Sequence, residues 1–70
     1  MNDDNQDLLR RAVLKAKRIA GEKAMELHDL VEDRLPAAYE DLPALAEETY
    51  AACRSWAEAE AALAAVSREA

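Results

Sequence analysis

Phenylalanine is missing from this chain, glycine occurs once, proline twice and cysteine once. One glycine leaves no room for a glycine-rich phosphate loop, and one cysteine excludes both an internal disulfide and a CxxC motif. A lone thiol fits a reducing cytoplasm. Bulky apolar residues are also scarce: of 36 hydrophobic residues 17 are Ala, while Leu, Ile and Val together number 13. With β-branched and aromatic residues so few, and nothing alternating with period two, strands are not expected. Positive charge is in deficit, nine Lys and Arg against fifteen Asp and Glu, for a net charge of −6. That balance argues against nucleic acid or an anionic membrane as the main partner. No apolar run approaches membrane-spanning length. The N-terminus, Met1-Asn2-Asp3-Asp4, is acidic and polar with no apolar segment behind it, so no signal peptide is expected and the chain reads as cytoplasmic.

What is present is alanine, charge and a helical period, the composition of long packed helices in one small domain covering residues 1–70. Helix 1 is expected over about residues 4–33, with Asn2, Asp3, Asp4 and Asp7 supplying capping oxygens and negative charge at the positive end of the helix dipole. Leu9, Val13, Ala16, Ala20, Ala24, Leu27 and Val31 fall in one stripe, flanked by Ala12, Ile19 and Leu30. Pro36 disfavours helical geometry at Leu35, and Pro43 suits the first turn of a new helix. The turn is expected over residues 34–42 and helix 2 over about residues 43–67, with Leu45, Thr49, Ala52, Trp56, Ala59, Leu63 and Val66 in its stripe and Leu42 and Cys53 beside it. The fold class that follows is all-α, an antiparallel helical hairpin. So little bulky core in so short a chain leads to the expectation of a homodimer, a four-helix bundle. Folding back near Ala38 makes opposed residue numbers total about 77, which sets Trp56 against Ala20 and Ala24 and Glu60 against Lys17.

Several residues stand apart from the seam. Leu14, Gly21, Met25, His28 and Glu32 form a second stripe on helix 1, with Ala46, Tyr50, Ala57, Ala61 and Ala64 as a counterpart on helix 2. These faces suit the docking of another helix or protein. Gly21 implies either close approach of another chain or a tolerated helix defect. His28 and Glu32, at i and i+4, offer an imidazole and a carboxylate to one divalent transition metal, with Asp29 adjacent; otherwise they are a local charge or hydrogen-bond pair. Two ligands from one chain would need a symmetry mate, and the Glu-x-x-His signature of carboxylate bundles is absent, since Met25 stands three residues before His28. Cys53 reads as a buried small apolar residue. Asp29, Glu32, Asp33, Glu40, Asp41, Glu47 and Glu48 gather around the turn, whereas Arg10, Arg11, Lys15, Lys17, Arg18 and Lys23 occupy the rest of helix 1. This acidic tip is either a solvated turn or a steering surface for a basic partner. With no Ser-His-Asp set, catalysis is not expected.

Two stretches carry a resemblance: Leu27-His28-Asp29-Leu30-Val31-Glu32-Asp33-Arg34-Leu35-Pro36, and the run Leu42-Pro43-Ala44-Leu45-Ala46-Glu47-Glu48-Thr49-Tyr50 that leads to Cys53. The chain resembles the Rop-like family of small bacterial helical-hairpin proteins found with nitrogen-fixation functions, from about Leu9 to Leu63. The resemblance implies a non-catalytic accessory protein that contacts nitrogenase or its maturation machinery. Partner contact is expected at Asp29, Asp33, Tyr39, Asp41 and Tyr50. Rop itself binds RNA, but here the basic residues spread around helix 1 without forming one stripe, so RNA is not expected as a partner.

Overall fold

The computed structural model describes residues 2–69, and side-chain surroundings over 4–68. Capping by the Asn2 and Asp3 side chains therefore lies outside the described residues, and Asp7 is engaged within its own helix by Arg10 at 3.1 Å. The fold is an antiparallel hairpin of two helices, α1 (Asn2–Asp29) and α2 (Leu42–Glu69), and no strand occurs among the described residues. It forms a rod with extents of 53 × 14 × 13 Å.

The connection has more structure than a plain turn. After Asp29 the chain winds into one wide π-helical turn, Leu30–Arg34, and then leaves the helix at Leu35, whose φ of −88° and ψ of 148° are the extended values that a following proline demands. The Arg34 carbonyl accepts the Ala38 N–H at 2.8 Å, and the Pro36 carbonyl accepts that of Tyr39 at 3.1 Å. These bonds close the helix end and lead into a single 3₁₀ turn, Tyr39–Asp41, which runs directly into α2.

The seam between the helices differs from the expected stripe at its tip end. Buried or half-buried residues on α1 and the π turn are Gln6, Leu9, Val13, Ala16, Ala20, Lys23, Leu27 and Leu30, with Ile19 alongside. Lys23 and Leu30 therefore take the places expected for Ala24 and Val31, which are exposed. Leu30 is fully buried, while Val31 is 52% exposed. The cause is the period. A seam that alternates by three and four residues drifts around a straight helix by about 20° per heptad. Over three heptads that drift moves the contact line from the Ala24–Val31 side to the Lys23–Leu30 side.

On α2 the seam is Leu42, Leu45, Thr49, Ala52, Trp56, Ala59, Leu63 and Val66. Its spacing repeats that of α1 after a shift of 36 residues, so the hairpin has an internal two-fold pattern. Cys53 is exposed rather than buried, because the heptad line passes through Ala52 and Trp56 and leaves Cys53 about 100° to one side.

The alignment of the helices also departs from expectation. Thr49 lies against the Lys23 carbonyl, so opposed numbers total 72 and the fold-back centres on Pro36, not near Ala38. Trp56 comes level with Ala16, and Lys17 with Ser55, so the expected Lys17–Glu60 pairing is not among the ion pairs of the described residues. A large ring opposite a small side chain survives the correction; its partner is different.

Candidate functional site: an acidic groove at the hairpin tip

The last turns of α1, the π turn and the start of α2 enclose one open groove. It is lined by Lys23, Glu26, Asp29, Asp33, Arg34, Glu40, Asp41, Ala44, Leu45 and Glu48. The heptad seam turns Leu27 and Leu30 inward, and this leaves Glu26, Asp29 and Asp33, three or four residues apart, on one flank of the same helix end. The 3₁₀ turn brings Glu40 and Asp41 to the opposite wall. Six carboxylates thus share the groove with two cations, Lys23 and Arg34.

One of those cations is tied down. Lys23 Nζ lies 2.9 Å from Glu48 Oε1 on the facing helix and 3.4 Å from Glu26 Oε2 on its own. Its hydrogen bond to Glu48, and then the negative charges of Glu26 and Glu48, hold its pKa above the ordinary lysine value. Among the described residues the Arg–carboxylate pairs Arg10–Asp7 at 3.1 Å, Arg18–Glu22 at 3.2 Å and Arg54–Glu58 at 3.3 Å are local ones along a helix. Exposed pairs of this kind contribute about 0.3–0.5 kcal/mol each and decorate the rod without positioning a site.

Of the residues expected to bind a partner, Asp29, Asp33 and Asp41 meet in the groove. Tyr39 and Tyr50 do not line it. Tyr39 stands on the 3₁₀ turn, 61% exposed, and Tyr50 is 68% exposed about two turns into α2. Tyr50 occupies on α2 the place that Leu14, also exposed, holds on α1, since the two differ by the same 36 residues as the seams. Glu26, Glu40 and Glu48 were not singled out together as a wall by the sequence; an inter-helix alignment is needed to see them converge.

His28 and Glu32 do come together: His28 Nε2 is 3.5 Å from Glu32 Oε1, and Nδ1 is 3.8 Å from Asp29 Oδ1. The side chains are about 60% exposed, His28 and Asp29 at the end of α1 and Glu32 on the π turn. Among the described residues no group of three or more His, Cys, Asp or Glu side chains is arranged to hold a metal ion, so one chain supplies at most part of a coordination shell. Gly21, Ala24, Met25 and His28 line a shallow apolar depression on α1. Gly21 has nothing within 4 Å of where a Cβ would stand, so no close approach within the chain requires it.

No helix among the described residues is long and apolar enough to cross a membrane. A family model described as Rop-like matches residues 4–68. Comparison with curated proteins and with solved structures gives no match.

Proposed function

Because the chain belongs to the Rop-like family, we propose that it is a non-catalytic cytoplasmic accessory protein of nitrogen fixation, acting through contacts with nitrogenase or its maturation machinery. The nitrogen-fixation setting rests on the resemblance carried by Leu27–Pro36 and Leu42–Tyr50. The contact surface rests on one observation, the gathering of Asp29, Asp33 and Asp41 with three further carboxylates in an open groove at the tip. A groove with six carboxylates against two cations is net negative and raises the encounter rate with a basic surface. Tyr39, exposed on the 3₁₀ turn beside Glu40 and Asp41, supplies an aromatic anchor of the kind that carries binding energy.

The working form in this reading is a homodimer. The accessible surface is 5374 Å², whereas a compact monomer of 7.7 kDa exposes about 4300 Å². The excess is close to the roughly 800 Å² that each partner contributes to a standard interface. Affinity purification of the tagged protein from cells fixing nitrogen, followed by identification of co-purifying proteins, tests the proposal. Enrichment of a nitrogenase component or maturation protein is the expected result. Its absence under fixing conditions overturns the assignment.

A second reading is a dimer that binds a divalent transition metal through His28 and Glu32 of each chain, and the 3.5 Å approach of those two groups on an exposed face favours it. Zinc uptake by tag-free protein that is lost in His28→Ala, with helix content intact, would support it. Equal uptake by both proteins would remove it.

A further inference from the structure

The seam alone does not decide how the two helices align. Both helices carry the same alternation of three and four residues, and such a pattern matches itself again after a slide of one heptad. The middle of the seam is mostly small, with Ala16, Ala20, Ala52 and Ala59 around one large ring, Trp56. One level differs in being charged and polar. Lys23 is the single charged residue at a seam position among the described residues, and Thr49 stands opposite it.

Four contacts close that level. Lys23 donates to Glu48 across the hairpin at 2.9 Å and reaches Glu26 in its own helix at 3.4 Å. The Thr49 hydroxyl sits 3.3 Å from the Lys23 carbonyl oxygen and 2.9 Å from that of Leu45. The lysine stem is drawn into the seam as a result: its side chain is 34% exposed, against 53–56% for its two carboxylate partners. A slide of seven residues one way would set Lys23 level with Trp56 and Thr49 level with Leu30. The opposite slide would set Lys23 level with Leu42 and Thr49 level with Ala16, and would bring Trp56 against Leu9, bulk against bulk. Neither preserves the arrangement. A charged residue at one seam position is a known means of fixing register at some expense in stability.

We propose that the Lys23–Thr49 layer, closed by Glu48, is a register lock that selects the observed alignment over its heptad-shifted alternatives. Its consequence reaches the tip. Only the observed alignment leaves Leu30–Asp41 as the connection and brings Asp29, Asp33 and Asp41 into one groove. The layer therefore lies in the seam at one end of the groove, where Lys23, Glu26 and Glu48 form part of its lining, and governs how the rest of that surface is assembled.

The test is an inter-helix distance. Spin labels are placed through Arg11→Cys and Ala51→Cys in a Cys53→Ser background, and the labelled protein is diluted with unlabelled chain so that only distances within a hairpin are read. In the observed register the two sites are offset along the axis by ten residues, about 15 Å at 1.5 Å per residue, and a heptad slide changes that offset by about 10 Å. The parent protein gives one distance population. Lys23→Met with Thr49→Val keeps the helices and adds at least one displaced population. A single population at the parent distance in that variant overturns the proposal. A charge exchange gives a check that is independent of apolar replacement. Lys23→Glu, facing Glu48 and Glu26, broadens or shifts the distribution, and adding Glu48→Lys returns it to one population. If the single and exchanged variants give the same distribution, the lock is refuted by that route as well.

Discussion

The Thr49 hydroxyl lies 3.3 Å from the carbonyl oxygen of Lys23 across the hairpin and 2.9 Å from that of Leu45 in its own helix. One hydroxyl proton serves two acceptors, and the shorter contact to Leu45 is the better bond. The approach to Lys23 is therefore chiefly a marker of how closely the helices pack at this level. The stronger cross-helix tie is the Lys23 ammonium on Glu48 at 2.9 Å, and together they set which residues of α1 and α2 are neighbours.

That tie predicts an alkaline signature. The folded-state pKa of Lys23 is raised, so its contribution to stability is fully present below the unfolded value, about 10.4, and is lost as pH rises through the higher folded value. The stability difference between the parent protein and Lys23→Met is expected to stay constant from neutral pH to about pH 10 and to change only above it. Urea unfolding at a series of pH values measures it. A difference that instead varies between pH 5 and pH 8 would contradict this account of Lys23.

Trp56 gives a second prediction. The ring is half-buried in the seam, and its Nε1–H is buried without a hydrogen-bond partner. A buried, unpaired donor carries a penalty of about 1–3 kcal/mol. Trp56→Phe removes that donor while keeping most of the ring, and is expected to change stability by less than about 1 kcal/mol. Trp56→Ala, which empties the position opposite Ala16, is expected to cost roughly 3 kcal/mol. Denaturant unfolding distinguishes the two. Equal, large losses in both variants would mean that the indole N–H has a partner in solution.

Much of this fold was legible from residue spacing. Leu9, Val13, Ala16, Ala20 and Leu27 on one helix, and Leu45 through Val66 on the other, lie on the seam where the period puts them. The tip end was not legible, for a physical reason. A stripe drawn to favour apolar residues passes over Lys23 for Ala24, yet a lysine with two carboxylates in reach is stable at a seam position, its stem packing while its ammonium is paired. Following the lysine leads to Leu30 in place of Val31. The π turn and the 3₁₀ turn then settle the fold-back at Pro36, and neither has a clear sequence signal. The groove was half visible: its carboxylates were evident as a charge cluster, but the meeting of Glu26 with Glu40 and Glu48 depends on the alignment of the helices.

Self-association is expected from the exposed surface. Light scattering at micromolar concentration is predicted to return about twice the chain mass, the remedy that so small a core requires. Gly21 tests which face is used. With open space around it, Gly21→Ala is expected to raise stability by about 0.8–1 kcal/mol through helix propensity alone, leaving the mass unchanged. A return to the monomer mass in that variant would place the second chain directly against Gly21.

The central proposal is that the acidic groove at the tip binds a protein of nitrogen fixation, and the paired substitution Asp33→Lys with Asp41→Lys tests it most directly. Both residues are exposed, so the variant is expected to keep its stability within about 1 kcal/mol. Recovery of the nitrogenase-related partner from fixing cells is predicted to fall sharply, and recovery by the parent protein to weaken as salt is raised, because screening shortens the reach of the steering charges. Unchanged recovery by the double variant, together with unchanged nitrogen-fixing growth, would contradict the claim and leave the tip as a solvated turn.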